Sequence, residues 1–358
     1  MITAGLRRAI LDAAGLPGAD PLLRPGPAPG SYASSLPFRL ARSDRDPREV
    51  AAALAAELAR EPWIAAAEVT GRGFLTVTVT HDALAGLAVR IARAGPACAE
   101  SDALRDRTVP APPPEPPGPQ PGAAGWSQTR VALAGHLTAR LAAAAGATLI
   151  FDPERPGFPA PASLPPLLPG SGPVADAAGY AGADAVRFAL ARMPPGSPVS
   201  RSPVSRSTAS ASTASASTAS ASAAPQAAVI ARHVLANPAY AVRYAHAAAA
   251  AVLRWAAALG TRPAGFTPRL LAEPGELALL DALSWLPERV AVATRRGRPD
   301  EFAGYLEELA ARTIDTMSTT SFRTTSRISS ERLWLADAAR TGLAAGLGLL
   351  GIGAPSRL

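Results

Sequence analysis

The sequence predicts a chain of α+β class: a small N-terminal α+β module, a reduced α/β middle segment and a C-terminal all-α helical bundle. Three observations lead to this prediction. Hydrophobic residues make up 48% of the 358 residues but aromatic residues only 5%, so Ala and Leu must supply the packing, which favours helices. One short stretch alternates apolar and Thr residues, as a half-buried strand does. Two low-complexity stretches divide the chain.

Residues 1–95 form the predicted N-terminal module. Apolar residues at three-to-four spacing indicate one helix around Leu6 and Ile10 and another around Leu54 and Leu58. The sequence then becomes strand-like over residues 64–79, and it ends in the alternating run Phe-Leu-Thr-Val-Thr-Val. We therefore expect a small sheet with one buried face.

Low-complexity sequence surrounds a short middle segment. Residues 96–125, dominated by Pro from 109 to 123, predict a linker. Residues 126–193 contain helix-like stretches and a possible strand at 147–151, too little for a nucleotide-binding core of several βαβ units. Residues 194–226 repeat Ser, Ala and Thr with almost no apolar bulk, which predicts disorder.

Residues 227–358 predict an α-helical bundle. Asn237 followed by Pro238 is typical of an N-cap and a first helical position. The apolar pattern indicates helices over residues 228–236, 238–259, 275–286, 287–296, 299–317 and 332–350.

Composition excludes several classes of protein. The single Cys98 rules out a disulfide framework and a Cys-rich zinc site, and it suits a reducing cytoplasm. Apolar runs are shorter than the roughly 20 residues of a membrane span, and no apolar signal region follows the N-terminal arginines. We expect a cytoplasmic protein with neither a metal nor a membrane partner.

Every one of the 35 basic residues is Arg, and the formal net charge is +7. Such a charge permits RNA binding without demanding it. The densest basic cluster is Arg295, Arg296 and Arg298, which also suits the C-terminal end of a helix.

Residues 237–247, Asn-Pro-Ala-Tyr-Ala-Val-Arg-Tyr-Ala-His-Ala, resemble the signature that opens the DALR-type anticodon-binding domain of arginyl-tRNA synthetases, which are class I enzymes. The similarity continues through Glu273, Pro274 and Glu276 to the C-terminal end. Gly-Ala-Asp-Ala-Val-Arg-Phe at 182–188 is similar to the helix leading out of that family's catalytic domain. Gly-Arg-Gly-Phe-Leu at 71–75 resembles a stretch of its additional N-terminal domain. The resemblance implies a helical anticodon-binding domain joined to such an N-terminal domain.

The resemblance implies tRNA as the partner. Tyr240, Arg243, Tyr244 and Ala247 lie at spacings of three and four, which places them on one helical stripe. Aromatic rings stack on bases and Arg binds phosphate, while Ala247 would allow a close backbone approach. The alternative is that the two tyrosines line the core with their hydroxyls at its rim.

Two further regions are candidates for contact with tRNA. The loop at residues 318–330, with Arg323 and Arg327, is either a phosphate-gripping loop or a solvated linker. The resemblance of the N-terminal module implies that Tyr32, Gly73 and Phe74 contact the outer corner of the tRNA.

The catalytic elements of the family are largely missing. Class I synthetases use a His-x-Gly-His element at a helix N-terminus and a Lys-Met-Ser-Lys-Ser type loop to stabilise the reacting phosphate. Gly135 and His136 are candidates for a vestigial ATP site, the alternative for His136 being a capping or surface role; Leu133 replaces the leading His, and the chain has no Lys. We predict no catalytic residue, and no cofactor unless ATP is used. For His246, a packing or hydrogen-bonded role is favoured over metal binding, because no partner lies at metal spacing.

The sequence favours a non-catalytic tRNA-binding protein, and two alternatives stay open. One is an arginine–tRNA ligase with a reduced core; the other is an interaction protein that binds a synthetase or another tRNA-dependent enzyme. Thr313, Thr316 and Met317 stand where the family usually has Phe, Phe and Tyr. Since base stacking contributes about 1–3 kcal/mol per base, this departure predicts weakened or redirected anticodon reading.

Overall fold

The computed structural model describes residues 1–41, 45–111, 126–150, 172–194, 227–319, 322 and 328–358. Its helices are α1 Ile2–Ala14, α2 Leu36–Leu40, α3 Pro47–Leu58, α4 His81–Ala85, α5 Leu87–Ala94, α6 Trp126–Ala144, α7 Pro173–Ala181, α8 Ala183–Ala191, α9 Pro238–Ala258, α10 Pro274–Ser284, α11 Leu286–Arg296, α12 Pro299–Met317 and α13 Ser330–Leu349. Its strands are β1 Leu23–Pro25, β2 Ser31–Ser34, β3 Ile64–Thr70, β4 Phe74–Val79, β5 Thr108–Pro110 and β6 Thr148–Ile150. The α+β class is therefore confirmed.

The N-terminal module is built on an antiparallel sheet in the order β1-β2-β4-β3. The predicted alternation is present in β4, where Leu75, Val77 and Val79 are buried and the residues between them are not. Helix α3 packs against β3 and β4, and α1 packs against α3. Asp46 caps α3 by accepting a 2.8 Å hydrogen bond from the Arg48 amide.

The linker prediction is wrong for residues 96–111. A 3-10 helix covers Gly95–Ala99, β5 follows, and Cys98 and Leu104 are almost fully buried. Burial stabilises this stretch despite its Pro content, because its small apolar side chains pack against α13 of the bundle. Residues 112–125 lie outside the described residues.

The middle segment contains one parallel pair of strands. β5 pairs with β6 in parallel, and α6 lies between them along the chain, so the three elements form a single βαβ unit. Helix α6 packs against α11 of the bundle, and α8 packs against α9. The segment thus shares its core with the bundle. The predicted disordered tract at 194–226 lies outside the described residues except at its first position.

The bundle contains the five helices α9 to α13, and their bounds agree with the predicted ones to within two residues. A proline occupies the first or second position of α9, α10, α11 and α12, where its missing N–H costs nothing. The prediction of a helix at 228–236 is wrong: helical geometry ends at Ile230, and a turn leads to Asn237. The reason is a side-chain contact of Asn237 described below.

The N-terminal module and the bundle share a buried interface. Arg7 on α1 donates to both carboxylate oxygens of Glu288 on α11, at 2.9 and 2.7 Å. Arg295 donates to the same carboxylate at 2.7 Å and lies 3.2 Å from Asp20. The Thr3 hydroxyl donates to the Ser284 carbonyl at 2.7 Å. These contacts hold the two modules in one relative orientation.

Candidate nucleic-acid interface

Three aromatic rings stack at the N-terminal end of α9. The rings of Tyr240 and Tyr244, one turn apart, have centroids 5.8 Å apart and planes inclined by 26°. The imidazole of His233 lies on the other side of Tyr240, with centroids 5.4 Å apart and planes inclined by 12°. Tyr244 and His233 are exposed, and Tyr240 is half-buried. We call these three residues the aromatic stack.

Asn237 fixes the turn that carries His233. Its side-chain Nδ2 donates to the carbonyls of Ile230 and Arg232, at 2.8 and 2.7 Å, while its Oδ1 accepts from the Ala239 amide at 3.2 Å. One side chain therefore caps α9 and also takes up two carbonyls that a continuing helix would use internally. This bonding ends the preceding helix at Ile230 and brings the imidazole onto Tyr240.

Arg243 lies on the same face of α9 as the two tyrosines and is half-buried. Its Nε is buried without a hydrogen-bond partner, and within the described part of the chain no carboxylate forms an ion pair with it. A guanidinium has five donors and keeps its charge, so Arg243 can accept an anionic ligand beside the stack.

The arginine cluster that stands out in the sequence differs from Arg243 because its charges are neutralised. Arg295, Arg296 and Arg298 are all paired with carboxylates in the structure. Their partners are Glu288 at 2.7 Å, Glu301 at 2.9 Å and Asp300 at 2.6 Å, respectively. Charges neutralised in this way attract phosphate only weakly. The number of arginines in a stretch of sequence therefore does not show where a nucleic acid would bind.

Ala247 does not belong to the exposed stripe. It is 8% exposed, on the side of α9 that faces the bundle core, so the predicted close approach of a ligand to this residue is wrong. The four residues do lie on one side of α9, as their spacing predicts. That side is wide, however, so its far edge at Ala247 already faces the core. Arg323 and Arg327 lie outside the described residues, and their role stays a prediction.

Tyr32 is buried, which contradicts its predicted contact with tRNA. Its ring is fully buried against Trp285, with centroids 5.3 Å apart, and its hydroxyl lies 2.7 Å from the Ser284 hydroxyl. Burial raises the pKa of Tyr32 and keeps its phenol neutral. The residue joins the N-terminal module to the bundle instead of facing a ligand.

Phe74 remains available at the surface of the N-terminal module. It is 37% exposed and meets Phe38, itself 38% exposed, edge to face with centroids 4.9 Å apart. Gly73 precedes it with φ of 127°, and a Cβ there would lie 2.8 Å from Pro47. Gly73 is therefore required by the hairpin turn between β3 and β4, and it presents Phe74 without itself needing to touch a ligand.

Gly135 and His136 lie in the middle of α6, which contradicts their prediction as an ATP-site vestige. The helix begins nine residues before Gly135, so the backbone N–H groups there are already bonded within the helix. A phosphate site of the expected kind needs free N–H groups at a helix N-terminus. His136 is 7% exposed and packs inside the fold.

His246 has the hydrogen-bonded role that its spacing favours. Its Nδ1 lies 2.9 Å from the Pro355 carbonyl, and the ring is 4% exposed. Burial lowers the pKa of His246, so the ring is neutral and Nδ1–H donates. Among the described residues, no group of three or more His, Cys, Asp and Glu side chains is placed to hold a metal ion.

Thr313, Thr316 and Met317 are buried in the bundle, where no base can stack on them. The Thr313 hydroxyl donates to the Leu309 carbonyl and the Thr316 hydroxyl to the Arg312 carbonyl, both at 2.8 Å. The expectation that these residues reduce an exposed stacking surface is therefore wrong in this fold. The sequence also missed His233, whose only signal is an aromatic ring seven residues before Tyr240.

Two family models match the ends of the chain. The model of the arginyl tRNA synthetase N terminal domain matches residues 1–79, and that of the DALR anticodon binding domain matches residues 242–358. His233 and Tyr240 precede the second match. Along the described parts of the chain, no helix combines the length and the apolar character needed to cross a membrane.

Curated arginine–tRNA ligases match over part of their length. That of Clavibacter sepedonicus is 41% identical over 37% of this chain and 24% of its own length, and that of Kineococcus radiotolerans is 45% identical over 34% and 23%. The enzyme of Renibacterium salmoninarum is 34% identical over 51% of this chain and 30% of its own length. This chain thus spans less than a third of these relatives. A solved structure of Thermus thermophilus arginyl-tRNA synthetase has a TM-score of 0.61 at 16% identity, covering 100% of both chains, which shows similarity of fold.

Proposed function

Because this chain is an arginyl-tRNA synthetase-related protein with the N-terminal and anticodon-binding domains of that family, we propose that it binds tRNA without charging it. The observation that carries the proposal is the aromatic stack together with Arg243, which forms no ion pair with any carboxylate of the described residues. Unpaired bases of an anticodon arm are the ligand that such a surface suits, since bases stack on aromatic rings and their phosphates pair with arginine.

The geometry of the stack supports single-stranded RNA over a duplex. The exposed ring of Tyr244 ends the stack on one side and His233 ends it on the other. A base can continue the stack at either end if it is splayed out from its neighbours, as bases in loops are. The N-terminus of α9 lies beside the stack and adds partial positive charge for a phosphate.

The N-terminal module would supply a second contact. With Tyr32 buried, the aromatic pair of Phe38 and Phe74 takes over the role expected for that region. Arg48 lies at the same hairpin, where it donates to the Gly71 carbonyl at 3.2 Å. Because the ion pairs of Arg7 and Arg295 with Glu288 fix the orientation of the two modules, both surfaces would engage one rigid RNA together.

The catalytic alternative is a reduced arginine–tRNA ligase. Against it stand the position of Gly135 and His136 inside α6 and the lack of any lysine for the loop that class I enzymes use. Arginine-dependent ATP–pyrophosphate exchange, measured with and without tRNA, separates the two functions. We expect no exchange above background; exchange that depends on arginine would establish the ligase.

A gel-shift titration of bulk tRNA at two salt concentrations tests the proposal. We expect a shift that weakens with salt, and a loss of affinity of about 5- to 150-fold when Tyr240→Ala removes one stacking ring. The matched control is Tyr180→Ala, because Tyr180 is a tyrosine on α7 that is 68% exposed and is not one of the rings of the stack. No shift, or equal affinities for the two variants, would contradict the proposal.

A further inference from the structure

A cavity of about 260 Å³ lies between the N-terminal module and the bundle. The loop that joins β1 to β2, residues 25–29, covers it on one side, and residues of α10, α11 and α12 form the other. Pockets for drug-sized ligands have volumes of about 300–1,000 Å³, so this cavity suits a smaller molecule. None of the residues of the aromatic stack lines it.

Arg289 on α11 projects between two aromatic rings in the wall of this cavity. The centre of its guanidinium is 5.8 Å from the ring centroid of Trp285 and also 5.8 Å from that of Tyr305. Its Nε is buried without a hydrogen-bond partner, and no carboxylate of the described chain forms an ion pair with it. Burying a guanidinium without an anion costs free energy. The two rings therefore hold in place a positive charge that an anionic ligand would neutralise.

Asp281 on α10 lines the same cavity with the opposite charge. One of its oxygens accepts a 2.9 Å hydrogen bond from the Gly30 amide of the covering loop. Burial raises the pKa of Asp281, although the Gly30 hydrogen bond works against this effect. Both side chains are described, and Asp281 makes no ion pair with Arg289.

The other two charged residues in the lining already satisfy each other. Glu308 and Arg312 form an ion pair of 3.1 Å on α12, and both are well exposed. The cavity therefore offers one cation that no carboxylate of the described residues pairs, and one carboxylate whose contacts with the Gly30 amide and the Trp285 side chain leave further acceptor positions. A molecule with an anionic and a cationic group would bridge them and restore neutrality.

We infer that this interdomain cavity binds a small zwitterion, of the size and charge of a free amino acid, with its carboxylate at Arg289 and its ammonium group at Asp281. The ligand would contact both modules, because the loop that covers the cavity belongs to one and Arg289 to the other. Binding would therefore stabilise the docked arrangement of the two modules. The inference needs no RNA and does not depend on the function proposed above.

The test is a thermal shift assay of the full chain with free L-amino acids, added one at a time at millimolar concentration. Each amino acid is compared with its carboxamide, which lacks the anion, and with its N-acetyl derivative, which lacks the cation. We expect at least one free amino acid to raise Tm in proportion to the logarithm of its concentration, and both of its derivatives to fail.

Two variants and a control locate the site. Arg289→Gln and Asp281→Asn should each weaken the amino acid's binding by about 10- to 100-fold, as expected for the loss of a charge-assisted hydrogen bond. Arg296→Gln removes an exposed arginine elsewhere on the bundle and should leave binding unchanged. If Arg289→Gln does not fold, Asp281→Asn and the derivative series still decide the question.

Three outcomes would overturn the inference. The first is that no amino acid raises Tm. The second is that a derivative without one of the two charges stabilises the chain as well as the parent. The third is that acetate or inorganic phosphate alone gives the full shift, which would identify the cavity as an anion site.

Discussion

The interface between the two modules and the exposed face of α9 place the same residue types in opposite environments. At the interface, Tyr32 is fully buried and hydrogen-bonded, and Arg7 is held by both oxygens of Glu288. On α9, Tyr244 is 37% exposed, and Arg243 has no carboxylate partner within the described chain. The partners of a tyrosine or an arginine therefore decide whether its side chain is held inside the fold or stays available to a ligand.

The difference has an electrostatic origin. When an arginine pairs with a buried carboxylate, the two charges neutralise each other. Removing either partner then leaves an uncompensated charge inside the fold. An arginine without such a partner retains a field that an incoming phosphate can use. Variants at the two places should thus affect different properties: folding stability at the interface and RNA affinity at α9.

The largest effect is expected at Glu288, which is 4% exposed and accepts hydrogen bonds from Arg7 and Arg295. Glu288→Ala leaves the buried Arg7 and the partly buried Arg295 with Asp20 as their remaining carboxylate neighbour, and we expect a loss of about 3–5 kcal/mol in the free energy of unfolding. Urea unfolding measures it. The matched control is Glu308→Ala, which breaks an exposed pair and should cost at most about 1 kcal/mol. Equal losses for the two variants would show that the buried ion pair at the interface stabilises the fold no more than an exposed one does.

Tyr240→Ala should reduce the free energy of tRNA binding by about 1–3 kcal/mol, because it removes the central ring of the aromatic stack. Tyr32→Phe is the counterpart at the interface: it removes the hydroxyl that meets Ser284 and should lower stability by about 1 kcal/mol. Filter binding and urea unfolding are measured on both variants. The comparison fails if Tyr32→Phe reduces RNA affinity as much as Tyr240→Ala does.

Arg243→Gln should change the salt dependence of binding. Loss of one phosphate contact lowers the slope of log K against log salt concentration by about 0.7–0.9. Arg296→Gln, which removes an arginine already paired with Glu301, should leave the slope unchanged. Titrations at several salt concentrations provide the slopes. An unchanged slope for Arg243→Gln would remove this arginine from the interface.

The smallest effect concerns the buried side of α9, where burial lowers the pKa of His246. Because the unfolded chain then binds a proton more readily than the folded one, His246 stabilises the fold fully above about pH 6.5, its ordinary pKa. That contribution is lost as the pH falls from there through the lowered folded-state value. We expect Tm to decrease from pH 7 to pH 5 and His246→Gln to make the decrease smaller. An identical decrease in the variant would refute the assignment.

Sequence patterns predicted the bundle well because Pro-initiated helices and apolar periodicity are local signals, as at Pro299 and Asn237. Sequence patterns failed to predict burial where contacts between distant parts of the chain determine it. Tyr32 follows a run of Pro, Ala and Gly that is typical of a surface loop, and its burial depends on Trp285 and Ser284, more than 250 residues away in the sequence. Whether an arginine forms an ion pair likewise depends on residues that are distant in the sequence.

Local rules were also overruled at two smaller places. Helical propensity predicts a continuous helix before Asn237, but the two hydrogen bonds of its side-chain amide end that helix and create the position of His233. The prolines at residues 109–123 led to a linker prediction over residues 96–125, but burial of Cys98 and Leu104 orders the first part of that range. In both cases, contacts that composition does not reveal outweigh local preference.

Ultraviolet crosslinking of bound tRNA, followed by mass spectrometry of the crosslinked peptides, tests the central claim most directly. The account predicts crosslinks within residues 233–244, where the aromatic stack lies, and none at Tyr32 or at Tyr180. Crosslinks at Tyr32, or their absence from residues 233–244 while tRNA is bound, would contradict it.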